Sequence, residues 1–354
     1  MHKASVGIVG ASGYAGMEAT RLLAHHPYVD VRFVTSERWA GESVEARLGA
    51  CGPVGRLTYG KNEDAVQLAR GCDVVLLATP AEVSLALAPQ LLSAGIRVID
   101  LSGAFRLAHA GTYPRHYGFT HTAPELLGTA AYGMPELFRD SVPQARLVAN
   151  PGCYPTAATL ALAPLLAGGS NGNLIRAESL IVTAASGVTG AGRKASEDYS
   201  FTEVEGDFRA YKVLKHQHTP EIAQALGRCA GVPVGLTFTA QLLPVKRGIL
   251  STAVVSLRPG VGSGDFARAY QQAYAGEQFV QLLPSADHVN LKSVVGTNRC
   301  TIGFACDPDT GRAIVVSALD NLVKGAAGQA VQNLNLMLGL EETWGLTSLR
   351  AYHP

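Results

Sequence analysis

Short, uninterrupted apolar runs recur through the first 150 residues, and most are followed by segments rich in alanine and leucine. A strand that is apolar along its whole length has no solvent-facing side, and alternation of such strands with helices is typical of a parallel sheet covered on both faces. Residues 1–150 are therefore predicted to form a doubly wound α/β domain. The runs are VGIVG, VRFVT, CDVVLLAT, IRVIDLS and RLVAN.

Beyond residue 174 the strand-like stretches become longer and richer in β-branched residues. Together with helical segments such as GDFARAYQQAYAG, they predict an α+β domain over residues 151–325 with a mixed or antiparallel sheet. Near the C-terminus, DNLVKGAAGQAVQNLNLMLGL has apolar residues at helical spacing, so a C-terminal helix, 325–354, is predicted to complete the first domain. The strand-like stretches are SLIVTAASG, GLTFTAQLLPV, GILSTAVVSL and RAIVVSALD.

Charge and cysteine content exclude several classes of function. Lys and Arg number 29 against 28 Asp and Glu, with no run of like charges, which argues against binding to nucleic acid or to a membrane surface. The N-terminus MHKASVGIVGASG and the lack of an apolar stretch of ~18 residues predict neither a leader nor a membrane span. Six cysteines without a CxxC pair predict no metal site, no disulfide framework and a reducing, cytoplasmic location.

The first predicted strand runs directly into a glycine-rich turn and a helix, VGIVGASGYAGMEATRLLAHHP. Glycines in such a turn let a pyrophosphate approach the N–H groups of a helix N-terminus, where the helix dipole favours negative charge. The alternative is a strand–turn–helix unit that needs glycine only for close packing. Because the strand, the helix and the N-terminal position agree with the motif, we predict a Rossmann-like dinucleotide site at Gly10, Ser12, Gly13, Tyr14 and Gly16.

The end of the second strand bears on which dinucleotide is bound. VRFVT is followed by Ser36-Glu37-Arg38. An acidic side chain here would bind the ribose hydroxyls of NAD, whereas a hydroxyl and an arginine suit the additional phosphate of NADP. We favour NADP(H), bound by Ser36 and Arg38. Thr79 and Pro80 follow the third strand at the carboxyl edge of the sheet and are predicted to contact the cofactor, the alternative being an ordinary strand–helix turn.

The segment ANPGCYPT places Cys153 between a predicted strand and a predicted helix. Pro151-Gly152 is suited to the turn and Pro155 to the first position of the helix. N–H groups at a helix N-terminus stabilise a thiolate, so Cys153 is predicted to be a nucleophile rather than a core thiol. The other five cysteines are predicted to be buried apolar residues.

A base for this thiol is predicted in the segment KHQHTPEI. Thr219 is suited to be an N-cap and Pro220 to be the first helical residue, so His216 and His218 are both predicted to precede a helix. Glu221, in the first turn, could orient one of them. The alternative is a hydrophilic loop with two solvated histidines.

Two segments are suited to binding anions: SGVTGAGRKAS, which contains Arg193 and Lys194, and DLSGAFRL, which contains Arg106. A dinucleotide site combined with a cysteine thiolate predicts aldehyde or acyl-phosphate chemistry, in which sulfur attacks a carbonyl and hydride passes to or from the cofactor. The residues alone predict no more than an oxidoreductase of this kind.

A series of motifs resembles the N-acetyl-gamma-glutamyl-phosphate reductase family of arginine biosynthesis, in order and nearly end to end. This resemblance implies reduction of an N-acetylated glutamyl phosphate by NADPH to the semialdehyde, with release of inorganic phosphate. Cys153 would form a thioester, and His216 or His218 would be the acid/base, with His216 favoured. The motifs are GASGYAG, DLS-x-x-FRL, YG-x-PEL, NPGCYPT, SGVTGAGRKAS, FRAYKV, HQHTPEI, LLPVKRGIL and SALDNLVKGAAGQAVQNLNLMLGL.

The same resemblance implies roles for further residues. Gly187 and Asn321 would contact the cofactor, with Asn321 at the nicotinamide amide. The substrate would be a small acyl phosphate, and the assembly a homodimer or homotetramer. The residues implied at the substrate are Arg106, Ser186, Arg193, Lys194, Tyr211 and Glu221.

The chain departs from the family pattern at Gly103-Ala104, where an acidic residue is usual, and at Thr79-Pro80-Ala81, where Leu-Pro-His is usual. Three alternatives remain. The lysine-pathway paralogue tends to lack the Tyr154-Pro155 pair, and aspartate-semialdehyde dehydrogenase lacks HQHTPEI and DNLVKGAAGQA. A dinucleotide-sensing regulator without catalysis would not need Cys153 or the two histidines.

Overall fold

A computed structural model of the chain describes residues 3–168 and 172–347. Its described residues divide into two compact units, one of 3–152 with 326–347 and the other within 153–325. Within these described ranges, no helix is both long and apolar enough to cross a bilayer.

The first unit is built on a seven-stranded sheet of order β3-β2-β1-β4-β5-β7-β6, in which every pairing is parallel. This confirms the doubly wound α/β prediction. The strands are β1 (Ala4–Val9), β2 (Val29–Thr35), β3 (Tyr59–Gly60), β4 (Val74–Leu77), β5 (Arg97–Asp100), β6 (Ala131–Tyr132) and β7 (Leu147–Ala149). The helices before residue 152 are α1 (Tyr14–Ala24), α2 (Val44–Leu48), α3 (Ala65–Leu68), α4 (Ala81–Ser93), α5 (Tyr113–His116) and α6 (Pro135–Phe138).

The central strands of this sheet are buried on both faces. All four residues of β4 are buried, as are the last four of β1. Such strands read as continuous apolar runs, which is why the sequence pattern located them. The pattern missed β3 and β6 because two residues show no periodicity.

The second unit contains a mixed sheet of order β12-β13-β14-β11-β8-β10-β9. Pairs β8–β10 and β12–β13 are parallel and the others antiparallel. Its strands are β8 (Leu180–Gly187), β9 (Arg209–Tyr211), β10 (Leu236–Leu243), β11 (Ile249–Ser256), β12 (Val280–Leu282), β13 (Cys300–Asp307) and β14 (Arg312–Leu319). Its helices are α7 (Cys153–Leu166), α8 (Phe201–Val204), α9 (His218–Ala230) and α10 (Ser263–Tyr274).

Helix α7 is the centre of the second unit, since every residue from its second onward is buried. It packs against α9, α10, β11 and β14. Three hydroxyls of neighbouring elements donate to its backbone carbonyls: Ser317 to Ala157 at 3.0 Å, Tyr270 to Ala161 at 2.5 Å and Tyr274 to Leu160 at 2.6 Å. A helix apolar on all sides is stable only when covered in this way.

The predicted helix over 325–354 is wrong in extent. The chain forms a π-helical turn at Val323–Ala327 and then α11 (Gly328–Met337), so the helix ends well before residue 354. Residues 348–354 of the prediction lie outside the described residues. Helix α11 buries amides that hold the first unit together, and Asn333 donates to the carbonyl of Gly133 at 2.8 Å.

Candidate active site

The glycine-rich turn between β1 and α1 contains glycines of two kinds. Gly10 has φ +82°, and a Cβ there would lie 2.6 Å from the carbonyl oxygen of Ala78. A Cβ on Gly16 would lie 2.5 Å from the Gly10 oxygen, so the fold itself requires both glycines. Gly13 is different, because the nearest atom to a Cβ there is 3.6 Å away.

Gly13 is also the N-cap of α1, and a glycine has no side chain of its own to cap this helix end. The first N–H groups of a helix have no partner within it, so the turn leaves donors and room for a ligand anion. Tyr14 is the first helical residue. These features fit the pyrophosphate of a dinucleotide.

At the end of β2, Ser36 organises the turn rather than presenting its hydroxyl to solvent. It is fully buried, donates to Ser12 Oγ at 2.7 Å and accepts the N–H groups of Arg38 and Trp39. Glu37 accepts the N–H of Asn62 at 2.9 Å. Arg38 is exposed, which makes it the better placed of the two predicted contacts for an additional phosphate.

Thr79 and Pro80 lie at the same sheet edge as the glycine turn. A Cβ on Gly10 would be 2.8 Å from Thr79 Cγ2, so these two residues are in contact. The Thr79 hydroxyl shares a hydrogen bond with Ser84 at 2.8 Å, and Pro80 is the N-cap of α4. The turn therefore contributes shape, rather than free hydroxyl donors, to the cofactor side of the sheet.

Arg106 is buried within the first unit. Its guanidinium donates to the carbonyl oxygens of Leu101 at 2.7 Å and Asn150 at 2.8 Å. These bonds connect the loop after β5 to the residue just after β7. Much of its hydrogen-bonding capacity is thus used on backbone, which the anion-binding prediction did not anticipate.

Cys153 is the first residue of α7, which confirms its predicted place at a helix N-terminus. The helix begins at the cysteine itself, so Pro155 is its third residue, and the prediction of Pro155 as the first was wrong. The thiol is half-buried. Gly325 of the π-helical turn packs against Cys153, since a Cβ on this glycine would be 2.7 Å from the Cys153 Cβ.

Tyr154, directly after the cysteine, lies at the centre of a cluster of rings. The centroid of its ring is 5.4 Å from that of His216 and 5.9 Å from that of His218, both edge-on. Its hydroxyl lies 3.1 Å from that of Tyr211 and donates to the carbonyl of Gln241 at 3.1 Å. Burial raises the pKa of both tyrosines, so their hydroxyls stay protonated.

The two histidines are buried, which rules out the alternative of two solvated side chains. Helix α9 begins at His218 with Gln217 as its N-cap, so the prediction of Thr219 as N-cap, with both histidines before the helix, was wrong. The N–H of His218 instead donates to Nδ1 of His216 at 3.1 Å.

This hydrogen bond defines the tautomer of His216. Burial, and then the charge of Lys212, lower the pKa of His216 to about 4, so the ring is neutral near pH 7. Because Nδ1 accepts a backbone N–H, the proton of the neutral ring is on Nε2. Glu221 is fully buried in the first turn of the same helix.

Ser186, Gly187 and Asn321 come together at the end of β8. Ser186 is buried, and its hydroxyl donates to the carbonyl of Gly187 at 3.1 Å. A Cβ on Gly187 would be 2.8 Å from the Arg247 nitrogen, which explains the glycine by packing. The Asn321 amide accepts the N–H of Gly248 at 2.8 Å and donates to Thr189 Oγ1 at 3.0 Å, so it supports this turn.

Arg193 and Lys194 follow a short 3₁₀ turn after β8, the first half-buried and the second exposed. The sequence did not predict that Tyr154 contacts both histidines or that Gly325 contacts Cys153. A glycine in an otherwise helical segment was the available signal for the second. No group of three or more potential metal ligands occurs among the residues that the structure describes.

Two family models match the chain, one over residues of the first unit and the other over residues of the second. Residues 5–145 match a family model described as semialdehyde dehydrogenase, NAD binding domain, and residues 153–321 match the semialdehyde dehydrogenase dimerisation domain. An aspartate semialdehyde dehydrogenase from Candida albicans, solved with NADP, superposes with a TM-score of 0.70 at 15% identity, over 95% of this chain and 98% of that one. At that identity the likeness concerns the fold alone.

Other proteins are far more similar to this chain in sequence, and those described next share one name. The N-acetyl-gamma-glutamyl-phosphate reductase of Symbiobacterium thermophilum is 44% identical over 99% of this chain and 99% of its own. That of Halorhodospira halophila is 47% identical, also over 99% of each chain. Identity at this level over the whole length shows that the chain belongs to the N-acetyl-gamma-glutamyl-phosphate reductase family.

Proposed function

We propose that this protein uses NADPH to reduce N-acetyl-gamma-glutamyl phosphate to N-acetyl-glutamate semialdehyde with release of phosphate. The observation that carries the proposal is the position of Cys153, the first residue of a buried helix, next in sequence to a tyrosine that contacts two buried histidines. Full-length relatives with this activity in their names support the choice of substrate.

In the first half of the reaction the Cys153 thiolate attacks the acyl carbon. A carbon–sulfur bond forms, the carbon–oxygen bond to phosphate breaks, and phosphate leaves with the electron pair. The N-terminus of α7 stabilises the thiolate that this attack needs. Bound NADPH would supply the hydride that adds to the thioester carbon. The resulting tetrahedral oxyanion then collapses, the carbon–sulfur bond breaks, and the aldehyde leaves with Cys153 again a thiolate.

The histidines are proposed to divide the proton work. The neutral His216 ring has its lone pair at Nδ1 occupied by the N–H of His218, so it offers Nε2–H as a donor to a developing oxyanion. The thiol proton is proposed to pass to His218, whose ring lies edge-on to that of Tyr154, the neighbour of Cys153, with centroids 5.9 Å apart. This reverses the preference for His216 as the acid/base in the sequence interpretation.

The first domain, 1–150 with the C-terminal helix, is proposed to bind NADP(H). Gly10, Gly13 and Gly16 would accommodate the pyrophosphate, and the exposed Arg38 would bind the additional phosphate. The remaining predicted cofactor contacts are Ser12, Tyr14, Ser36, Thr79, Pro80, Gly187 and Asn321. The predicted substrate contacts remain Arg106, Ser186, Arg193, Lys194, Tyr211 and Glu221.

The second domain, 151–325, is proposed to carry catalysis and to form a homodimer or a homotetramer. An apolar row crosses its sheet, since Ile181 pairs with Val254 and Val254 with Ile314. Directly paired residues share a face, and Ile181 and Ile314 are 46% and 44% exposed. The match of this segment to a dimerisation domain argues for a second copy of the chain as the partner.

The proposal is tested by steady-state oxidation of NADPH with the acetylated acyl phosphate. Two further acyl phosphates are tested for comparison: aspartyl phosphate, for aspartate-semialdehyde dehydrogenase, and a carrier-linked aminoadipyl phosphate, for the lysine-pathway paralogue. Turnover should be highest with the acetylated glutamyl compound, and preference for another substrate, or none by fresh protein, would overturn the proposal.

The nucleophile is tested by Cys153→Ser, which should still bind NADPH but lose nearly all turnover. A sensing protein would show the same binding without turnover in either form. Substantial activity in the serine variant would show that another residue is the nucleophile. Cys229→Ser, a thiol whose pKa burial raises to about 11, is the control and should remain active.

A further inference from the structure

We propose that Arg247 binds the phosphoryl group of the substrate, and the inorganic phosphate formed from it, beside Cys153. This inference rests on the proposed function and adds a residue to it. Arg247 lies in the turn between β10 and β11, within the motif LLPVKRGIL.

The backbone of the turn is fixed against the end of β8. Gly187 donates its N–H to the carbonyl of Gly248 at 2.9 Å, and a Cβ on Gly187 would lie 2.8 Å from the nitrogen of Arg247. The hydroxyl of Thr189 donates to the carbonyl of Lys246 at 2.7 Å. The strand that leads into this turn, β10, is bonded to the neighbour of Cys153, since the hydroxyl of Tyr154 donates to the carbonyl of Gln241 at 3.1 Å. The turn is therefore connected to the nucleophile from one side.

The guanidinium is held by a buried carboxylate. Asp320 is fully buried, and its oxygens accept the N–H groups of Gly296 at 2.7 Å, Leu322 at 2.8 Å and Val323 at 3.2 Å. Arg247 Nη1 lies 3.6 Å from Asp320 Oδ2. That separation is an ion pair rather than a hydrogen bond, so Asp320 holds the guanidinium by its charge.

The same carboxylate residue connects Arg247 to Cys153 from a second side. The carbonyl of Asp320 accepts the N–H of Gly325 at 2.9 Å across the π-helical turn, and Gly325 packs directly against Cys153. The side chain of Arg247 is 25% exposed, so an anion can reach it from solvent. π-Helical turns such as Val323–Ala327 are frequent at functional sites.

The position favours phosphate over the substrate's carboxylates. The phosphoryl group is bonded to the carbon that Cys153 attacks, so it must lie next to the sulfur, whereas the α-carboxylate is at the far end of the glutamyl chain. A planar guanidinium matches a phosphate with two parallel hydrogen bonds. Asp320 is then a positioning residue that acts through Arg247.

The reverse reaction distinguishes phosphate binding by Arg247 from carboxylate binding, because inorganic phosphate and the semialdehyde are then separate substrates with separate KM values. In Arg247→Gln, the KM for phosphate should rise about ten- to hundredfold, while that for the semialdehyde changes little. Lys246→Gln is the matched control, since it removes the same charge from the adjacent, exposed residue and should leave both values unchanged. A raised KM for the semialdehyde alone would overturn the proposal and assign Arg247 to a carboxylate.

A second measurement needs neither cofactor nor turnover. Inorganic phosphate should slow the alkylation of Cys153 by iodoacetamide in the wild type and in Lys246→Gln, and much less in Arg247→Gln, as read by peptide mass spectrometry. If the glutamine variant does not fold, Arg247→Lys retains the charge and should still raise the phosphate KM about three- to tenfold. Equal protection in all variants would refute the role of Arg247, whereas wild-type protein that is protected but inactive would refute the proposed function alone.

Discussion

At the scale of single residues, His216 shows most clearly how surroundings decide chemistry. Four rings lie around it with centroids at 5.0 to 5.4 Å, those of Tyr154, Tyr211, His218 and Phe238. Removal of water disfavours the imidazolium and leaves a neutral donor. A histidine in a hydrophilic sequence segment has thus become a buried residue whose protonation the fold controls.

The depressed pKa predicts how stability depends on pH. The unfolded chain protonates His216 below about pH 6.5, whereas the folded protein does not until about pH 4. The unfolded state therefore binds more protons in this window, and the free energy of unfolding falls as pH falls through it. Between about pH 7.5 and about pH 5, His216 should account for a loss of about 2 kcal/mol.

This contribution is measured by urea unfolding of the wild type and His216→Gln at both pH values. The variant should lose about 2 kcal/mol less than the wild type over the same interval. His25→Gln replaces an exposed histidine and serves as the control. An identical pH dependence in wild type and His216→Gln would contradict the assignment.

The departure from the family pattern at Gly103-Ala104 has a packing explanation. A Cβ on Gly103 would lie 2.1 Å from the ring of Tyr117, so the glycine makes room for this ring. Ala104 is fully buried in the apolar core of the first unit. An acidic residue at either position would face a ring or a core without a place for its charge.

At the scale of elements, the turn into α1 separates glycines that the fold needs from one that only a ligand needs. Gly13→Ala should change the free energy of unfolding by less than about 1 kcal/mol, because the helix N-cap has room for a methyl group. The same methyl group would meet a bound pyrophosphate, so NADPH affinity should fall about ten- to hundredfold. Fluorescence titration and thermal unfolding measure the two effects.

Gly10→Ala is the matched comparison within the same turn. Its φ of +82° and the approach of the Ala78 carbonyl should destabilise the protein by about 2 kcal/mol or more. If Gly13→Ala bound NADPH as tightly as the wild type, the turn would not be the pyrophosphate site.

Element boundaries show where sequence patterns stop being informative. The pair Thr219-Pro220 has the composition of a helix start, but α9 begins one residue earlier than Thr219. Local capping preference differs little between adjacent residues, and the packing of His218 against Tyr154 provides a reason for the earlier start. The same limit applies to Pro155 and to the end of the last helix.

At the scale of the whole molecule, the apolar row on the second sheet predicts how the protein assembles. Ile181→Lys combined with Ile314→Lys places two charges on this face and should convert the oligomer to smaller species, as measured by light scattering. Both side chains are exposed within the chain, so the isolated fold should tolerate the change. Leu68→Lys, an exposed apolar residue of the first unit, is the control.

An unchanged mass in the double variant at low micromolar concentration would show that the oligomer uses another surface. A monomeric wild type would refute the dimer proposal itself. Either result leaves the family assignment intact, since that rests on identity over the full chain.

The sequence by itself determined the parallel sheet, the glycine turn and the place of Cys153 at a helix N-terminus. These are local features, because apolar periodicity, glycine spacing and a Pro-Gly turn act over a few neighbouring residues. Only the tertiary structure decided that Tyr154 contacts both histidines, that Arg106 is used on backbone carbonyls and that Asp320 forms an ion pair with Arg247. Such contacts join residues far apart in the chain, and burial, which sets their protonation and orientation, is a property of the folded packing rather than of any segment.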